Sequence, residues 1–211
     1  VTTIKRAETE EELLDIYRFR YRIYVEEMKR TQEYANHSER IVREPLDKEA
    51  DILGIWDNSS VVGTVRFNRA DASDLGYYTD MYSMGIMETY HPGKTTITTK
   101  LMIEKPFRNM GLAIDLGCAL YELRRPEGYE FNFIDCNDNL IPFFEFLGYR
   151  KYKDRVVHHE YGEVTPLVLV GSDLEYLKKC CSPFVELCEK YPINQEAVEF
   201  FYSNVATFNP E

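Results

Sequence analysis

The chain has 211 residues, with 25 Lys and Arg against 36 Asp and Glu, a formal net charge of −11 and 44% hydrophobic residues. That length suits one domain with a substantial core, and the acidic balance argues against free-standing binding to nucleic acid or an anionic membrane. No apolar run approaches a membrane span and no N-terminal signal pattern is present; the five cysteines, Cys118, Cys136, Cys180, Cys181 and Cys188, show no zinc spacing, which points to a reducing cytoplasm and no metal.

Thr2 to Arg6 suits a short first strand. Thr9 followed three residues later by Glu12 is a capping box, predicting a helix from there to about Met28. Leu13, Ile16, Tyr17, Arg20, Tyr24 and Glu27 fall roughly on one side of it. Arg18 and Arg22 suit solvated charges near the helix end, whereas Arg20 lies on the apolar side. Residues 29–46 are polar and aperiodic, a long loop of the kind that often covers a substrate. Asp51 to Trp56 and Val61 to Asn68 are two strands joined by Asp57-Asn58-Ser59-Ser60, a hairpin. Arg66 lies inside the second strand and must find water, a carboxylate or a ligand. Residues 69–95 are a second irregular stretch, whose Met81, Met84 and Met87 suit either an adaptable wall or packing onto the core.

Residues 96–115 organise the rest. Thr96 to Ile103 is rich in β-branched residues and reads as a strand, which Pro106 stops. Arg108-Asn109-Met110-Gly111-Leu112-Ala113 then turns into a helix with Leu112, Leu116, Ala119, Leu120 and Leu123 at spacings of three and four. A strand, a glycine turn and a helix N-terminus together suit a phosphate, because the first helical amides have no internal partner. A bland connection fits the same residues. Arg124-Arg125-Pro126 ends this helix. Phe131 to Cys136 is a further strand, Asn139 to Leu147 a short helix, and Tyr149 to Val157 and Val164 to Val170 two more strands. His158 and His159 between them would point to opposite faces of a strand and have no third ligand. Asp173 to Lys179, Pro183 to Lys190 and Gln195 to Val205 read as helices. The pattern predicts one α+β domain over residues 1–211, with a mixed central sheet flanked by helices over about 1–170 and a helical extension over about 171–211.

The turn Arg108 to Ala113 resembles the Arg/Gln-x-x-Gly-x-Gly/Ala pyrophosphate turn of the GCN5-related acyltransferase superfamily (the GNAT fold). Asn137 with Phe144-Glu145-Phe146-Leu147-Gly148-Tyr149 resembles its helix ending in Tyr-Glu-x-x-Gly-Phe, with Phe144 where many members carry a tyrosine acid. Arg20-Tyr21-Arg22-Ile23-Tyr24-Val25-Glu26-Glu27, the aspartates Asp47 and Asp51, and Gly63-Thr64-Val65-Arg66 are similar to segments of acyl-homoserine lactone synthases. Those enzymes carry a glutamate on the central strand where this chain offers Ile97 or a neighbouring threonine. Tyr161 to Leu169, Asp173 and Ser182-Pro183-Phe184 resemble bacterial N-acyl amino acid synthases.

The resemblance implies a cytoplasmic acyltransferase that moves a long-chain fatty acyl group from acyl carrier protein to an amino acid, tyrosine included. The donor would be a phosphopantetheine thioester, on the carrier or on coenzyme A, with no tightly bound cofactor. It implies a donor grip at Arg108, Asn109, Met110, Gly111, Leu112 and Ala113, and an oxyanion contact from a backbone amide near Met102 or Ile103. Asp47, Asp51 and Glu26 are candidate bases; Arg20, Arg66 and Lys100 suit a substrate carboxylate, with Tyr24 and Asp51 beside them. Internal pairing with Asp47 and Asp51 is the structural alternative for those cations. Lys105, Arg124, Arg125, Lys151, Lys153 and Arg155 form a basic set for an acidic carrier. An acetyl-coenzyme A-dependent acetyltransferase of a small amine and a non-catalytic acyl-ligand sensor are the competing readings.

Overall fold

The computed structural model describes residues 1–206 of the chain. Strand β1 (Thr2–Arg6) leads to helix α1 (Glu10–Tyr21). The capping box forms: Thr9 Oγ1 accepts from Glu12 N at 3.2 Å, and the Glu12 carboxylate accepts from Thr9 N at 3.2 Å and Glu8 N at 2.8 Å. The expected helix does reach the neighbourhood of Met28, but its last part, Arg22–Glu27, is a π-helical turn. A small hairpin, β2 (Ala35–Asn36) and β3 (Ile41–Val42), orders the middle of the polar loop.

The main sheet continues with β4 (Ala50–Asp57), β5 (Ser60–Arg69), β6 (Thr95–Ile103), β7 (Phe131–Cys136), β8 (Arg150–Lys151), β9 (Val156–His158) and β10 (Gly162–Val170). Its order is β1-β4-β5-β6-β7-β10-β8, with β9 paired to β10, and every pairing is antiparallel except β6 with β7. The single long strand expected over Tyr149 to Val157 is in fact β8 and β9, separated by a non-strand stretch. Helix α2 (Tyr77–Met81) sits in the loop between β5 and β6. Helix α3 (Leu112–Arg124) follows β6 and α4 (Ile141–Leu147) follows β7; α5 (Leu174–Lys179), α6 (Val185–Glu189) and α7 (Gln195–Phe200) form the C-terminal extension. Among the described residues no helix is long and apolar enough to cross a membrane.

Helices cover both faces of the sheet. On one face α3 packs Leu112, Leu116 and Leu120 against Val65, Phe67 and Ile103, while α4 and α6 pack Leu147 and Phe184 with Ile134 and Leu167. On the other, Ile16 and Phe19 of α1 and Tyr24 of the π-helical turn pack against Ile52, Val61 and Met102. There Met84 and Met87 join Tyr82, Ile97, Phe131, Phe133 and Phe201. The loop methionines therefore fill core and do not form an adaptable wall.

A buried ionic network fixes α1, β5 and β6 to one another. Arg20 Nη1 donates to both Asp47 oxygens at 2.8 and 2.9 Å, and Arg66 Nη1 donates to Glu44 at 2.6 Å and Asp47 at 3.2 Å. Lys100 pairs with Glu44, and Glu44 N donates to Asp47 Oδ2 at 2.7 Å. Arg20 and Arg66 are fully buried, and Asp47 is 1% exposed. Burial would raise both carboxyls, but Arg66 and Lys100 outweigh it at Glu44, and Arg20 and Arg66 at Asp47, so both lie below their usual pKa. Depressed folded-state pKa values mean stability that is complete above about pH 4, the unfolded carboxylate range, and lost as pH falls through the lower folded values. Asp47→Ala, which strands Arg20, is expected to cost about 3–5 kcal/mol by denaturant titration at pH 7, and to flatten the acid limb of the stability profile.

Candidate active site

Strands β6 and β7 pair in parallel only over Thr95–Ile97, opposite Phe131–Phe133. Beyond Ile97 they diverge. On its other edge β6 carries a bulge: Arg66 pairs with Thr99 and Thr64 with Met102, so Lys100 and Leu101 together oppose Val65. Lys100 takes φ +57°, a left-handed conformation that its ion pairing to Glu44 holds in place. Bulge and divergence leave a cleft lined by Thr98, Thr99, Lys100 and Leu101 of β6, Ile134 and Asp135 of β7, and Tyr24, Phe144 and Tyr161.

The ladder decides which amides face that cleft. Glu104 N donates to Val62 O at 2.8 Å and Met102 stands opposite Thr64, so by antiparallel alternation the Met102 amide is directed at β5. The Ile103 peptide groups face the other way, and Arg108 Nε donates to Ile103 O at 2.9 Å. Of the two residues expected to supply an oxyanion donor, Ile103 thus has its amide on the diverging edge, and Met102 does not.

The turn leaves β6 through a 3₁₀ segment, Lys105–Phe107, and reaches α3 at Gly111, whose φ of +76° explains the glycine. Among the described residues the amides of Asn109, Gly111, Leu112 and Ala113 have no main-chain partner, and Arg108 to Gly111 are exposed. This is an open amide nest at a helix N-terminus. The Arg108 side chain is tied down by Ile103 O and Glu27.

Beneath the cleft, between α3 and the sheet, lies an apolar cavity. Thr98, Leu101 and Phe144 line both spaces, so the two adjoin through the parting of the strands. Its walls include Val65, Phe67, Leu120, Leu147, Leu169 and Phe184.

Several expected site residues stand elsewhere or are already engaged. Arg20 and Arg66 are sealed in the ionic network and cannot reach a substrate carboxylate. Asp47 is held ionised by two arginines, which makes it a poor proton acceptor. Glu26 is on the outer surface, paired with Arg40. Asp51 pairs with Arg6 at 2.9 Å and with Arg124, away from the cleft. The basic set for a carrier also needs correction. Arg124 and Arg125 are buried, because the chain folds back over the end of α3: Arg125 Nη2 donates to Ser172 Oγ at 2.9 Å and Pro192 O at 3.0 Å. Lys153 donates to Met81 O at 2.9 Å and Ser83 Oγ at 2.7 Å, and Arg155 pairs with Asp138 at 2.5 Å. Lys105 and Lys151 are exposed. Tyr24, Lys100 and Met102 do line the cleft.

The cleft brings in residues that the sequence did not single out. Asp135 is half-buried on β7 and accepts from Tyr82 OH at 2.6 Å; desolvation raises its pKa, and the Tyr82 bond and Lys100 offset this only in part. Tyr161 OH accepts from Lys100 Nζ at 2.9 Å, and its ring stacks on Tyr24 with centroids 6.0 Å apart. Arg30 lies 5.0 Å over the Tyr161 ring, with no carboxylate partner among the described residues. His158 is kept neutral, its pKa lowered to about 3 by burial with His159 and Lys100 adding to it. Glu160 N donates to its Nδ1 at 3.1 Å, so its Nε2–H donates to Tyr77 OH at 2.7 Å. The histidine pair is structural.

Residues 19–116 match the family model described as an acetyltransferase (GNAT) domain. No curated protein sequence matches the chain significantly. Among solved structures the fold is similar to FeeM, an N-acyl amino acid synthase from uncultured soil microbes, at 12% identity and TM-score 0.67, covering 89% of this chain and 98% of that one. It is similar to BjaI, a CoA-dependent acyl-homoserine lactone synthase solved with SAM and isopentyl-CoA, at 14% identity and TM-score 0.66, covering 87% and 91%. It is also similar to the acyl-homoserine lactone synthase LasI at 10% identity and TM-score 0.59, covering 81% and 89%. The chain has the GNAT fold that its turn and helix motifs implied, in the form shared with these synthases.

Proposed function

We propose that the chain is an N-acyltransferase that moves an acyl group from a phosphopantetheine thioester to the amino group of an amino acid. One observation carries the reading: the parting of β6 and β7 stands between an exposed amide nest at one end, a polar cleft on one face and an apolar cavity on the other. The diphosphate of the donor would sit on the amides of Asn109, Gly111, Leu112 and Ala113. The thioester carbonyl would meet the Ile103 amide, which stabilises the developing oxyanion. The acyl chain would pass into the cavity under α3, whose lining is predominantly apolar.

The acceptor enters from the polar side. Asp135 takes a proton from its ammonium, and a carboxyl raised by desolvation is a better proton acceptor than an ordinary aspartate. The amine nitrogen then attacks the carbonyl carbon, the C–S bond breaks, and the thiolate takes the proton that the nitrogen sheds as the amide forms. Phe144 provides no acid for that last transfer, and Tyr161 OH is one of three phenols on the cleft, with Tyr24 and Tyr78. Arg30 would bind the acceptor carboxylate through its guanidinium fork. Tyr24, Tyr161 and Tyr78 line the acceptor side, which supports an aromatic amino acid such as tyrosine.

Coenzyme A is the favoured carrier of the thioester. The arginines beside the donor turn are neutralised, Arg22 by Glu104 and Arg108 by Glu27, and the chain is acidic overall. Little remains there to steer an acidic carrier protein. The CoA-dependent synthase with the same fold supports this choice.

Incubation with octanoyl-CoA and tyrosine is expected to release free thiol and yield the N-acyl product by mass spectrometry. Absence of product with acyl-CoA and with acyl carrier protein, across mixed amino acids, would overturn the reading. Asp135→Asn is expected to lower kcat by about 10²–10⁴-fold with the fold intact by circular dichroism. Gly111→Val, which meets open space but strains a left-handed position, is expected to raise the donor KM and leave the acceptor KM unchanged. Arg30→Ala is expected to do the reverse.

A further inference from the structure

The irregular stretch between β5 and β6 holds a buried phenol that the acyl-transfer steps leave idle. Tyr82 stands at the C-terminal end of α2, is fully buried, and donates through its hydroxyl to Asp135 Oδ1 at 2.6 Å. Its neighbours fix that hydroxyl in place. The ring stacks on Phe133 and on Tyr78, with centroids 5.8 and 5.7 Å away. The Tyr82 carbonyl accepts from Tyr152 OH at 2.7 Å. Lys153 Nζ grips the residues on either side, donating to Met81 O at 2.9 Å and to Ser83 Oγ at 2.7 Å. Ser83 turns the chain there through a left-handed φ of +49°, a conformation that such contacts must hold. The second Asp135 oxygen is different. Among the described residues Oδ2 has no hydrogen-bond partner, and it is not one of the polar atoms sealed from solvent. Asp135 itself lines the cleft. A carboxylate with one oxygen bound and the other open has a fixed plane and one place to accept a proton.

Resting on the acyl-transfer reading, we propose that Tyr82 is the positioning residue for Asp135, holding one carboxylate oxygen so that the other faces the acceptor amine. The ammonium proton then goes to Oδ2, while the Tyr82 hydroxyl keeps its own proton and continues to donate to Oδ1. Tyr82 acts only through Asp135. A donor on the carboxylate favours its ionised form against the burial that disfavours it, so deleting the hydroxyl raises the pH at which Asp135 becomes a base. The charged groups on the cleft beside Asp135 are Lys100 on β6 and Arg30 at the rim. The phenols of Tyr77, Tyr78, Tyr152 and Tyr161 and the Cys136 thiol are all pushed up by burial and stay uncharged through the neutral range. None of these groups changes when the Tyr82 hydroxyl is removed, so a change in the pH profile reports the Tyr82 bond.

The test uses Tyr82→Phe, which deletes the hydroxyl and keeps the ring, and follows kcat/KM against pH with octanoyl-CoA and tyrosine. The acid limb is expected to move up by about one pH unit. At neutral pH kcat is expected to fall by about ten- to a hundredfold, with the donor KM unchanged. An acid limb that stays where it is in the wild type, whatever the melting temperature does, would show that Tyr82 only fills space; that result overturns the proposal and leaves acyl transfer standing. If the wild-type protein releases no product from any donor, the reaction itself fails and the positioning role falls with it. Should Tyr82→Phe not fold, 3-fluorotyrosine at position 82 decides, because it is a stronger donor of nearly the same shape. It is expected to move the acid limb down, and an unmoved limb would overturn the proposal.

Discussion

The structure depends on the divergence of two neighbouring strands in mid-sheet. Main-chain N–H and C=O groups buried without partners are costly, so a sheet does not part without something to meet the freed edges. Here the freed edge of β6 is met partly by Arg108, which bonds Ile103 O. The rest faces a cleft. The bulge at Lys100 and Leu101 bends β6 away from β7, and the left-handed Lys100 is held by Glu44. A gap produced in this way is rigid, because its walls are strands and not loops. It offers backbone donors at a fixed position, which is what a reacting carbonyl needs.

The ionic network behind the gap has a structural role. Arg20, Arg66 and Lys100 are paired with Glu44, Asp47 and, at 3.8 Å from Lys100, Glu160, three cations against three carboxylates. Since none of the three cations is spare, the polar cleft in front of them has Arg30 as its available cation. On the proposed function, an acceptor carboxylate would therefore be held at the rim and not in the interior. It also keeps the aromatic wall of Tyr24 and Tyr161 in register with Lys100, which lies 4.9 Å over the Tyr24 ring.

Much of this was legible in the residues. The hairpin of β4 and β5, the central strand, the glycine turn and α3 follow from period, turn chemistry and capping, and each of these elements forms close to its expected bounds. Arg66 stands out in the sequence as a charge inside an apolar strand, and its carboxylate partners are Glu44 and Asp47. The same argument applies to Asp135, which shares the face of Phe131 and Phe133 by period two, and would have found it. Glu44 was hidden because it stands in a polar loop, where a buried acid and a solvated one look alike. Arg124 and Arg125 read as surface charges at a helix end. What buries them is the chain near Ser172 and Pro192, and local pattern does not reveal that return.

A crystal structure of the protein with octanoyl-CoA tests the central claim most directly. The diphosphate is expected on the amides of Asn109, Gly111, Leu112 and Ala113, the thioester oxygen within hydrogen-bonding distance of the Ile103 amide, and the chain running under α3. A donor bound elsewhere on the surface, with the strands' gap empty and its chain in solvent, would contradict it.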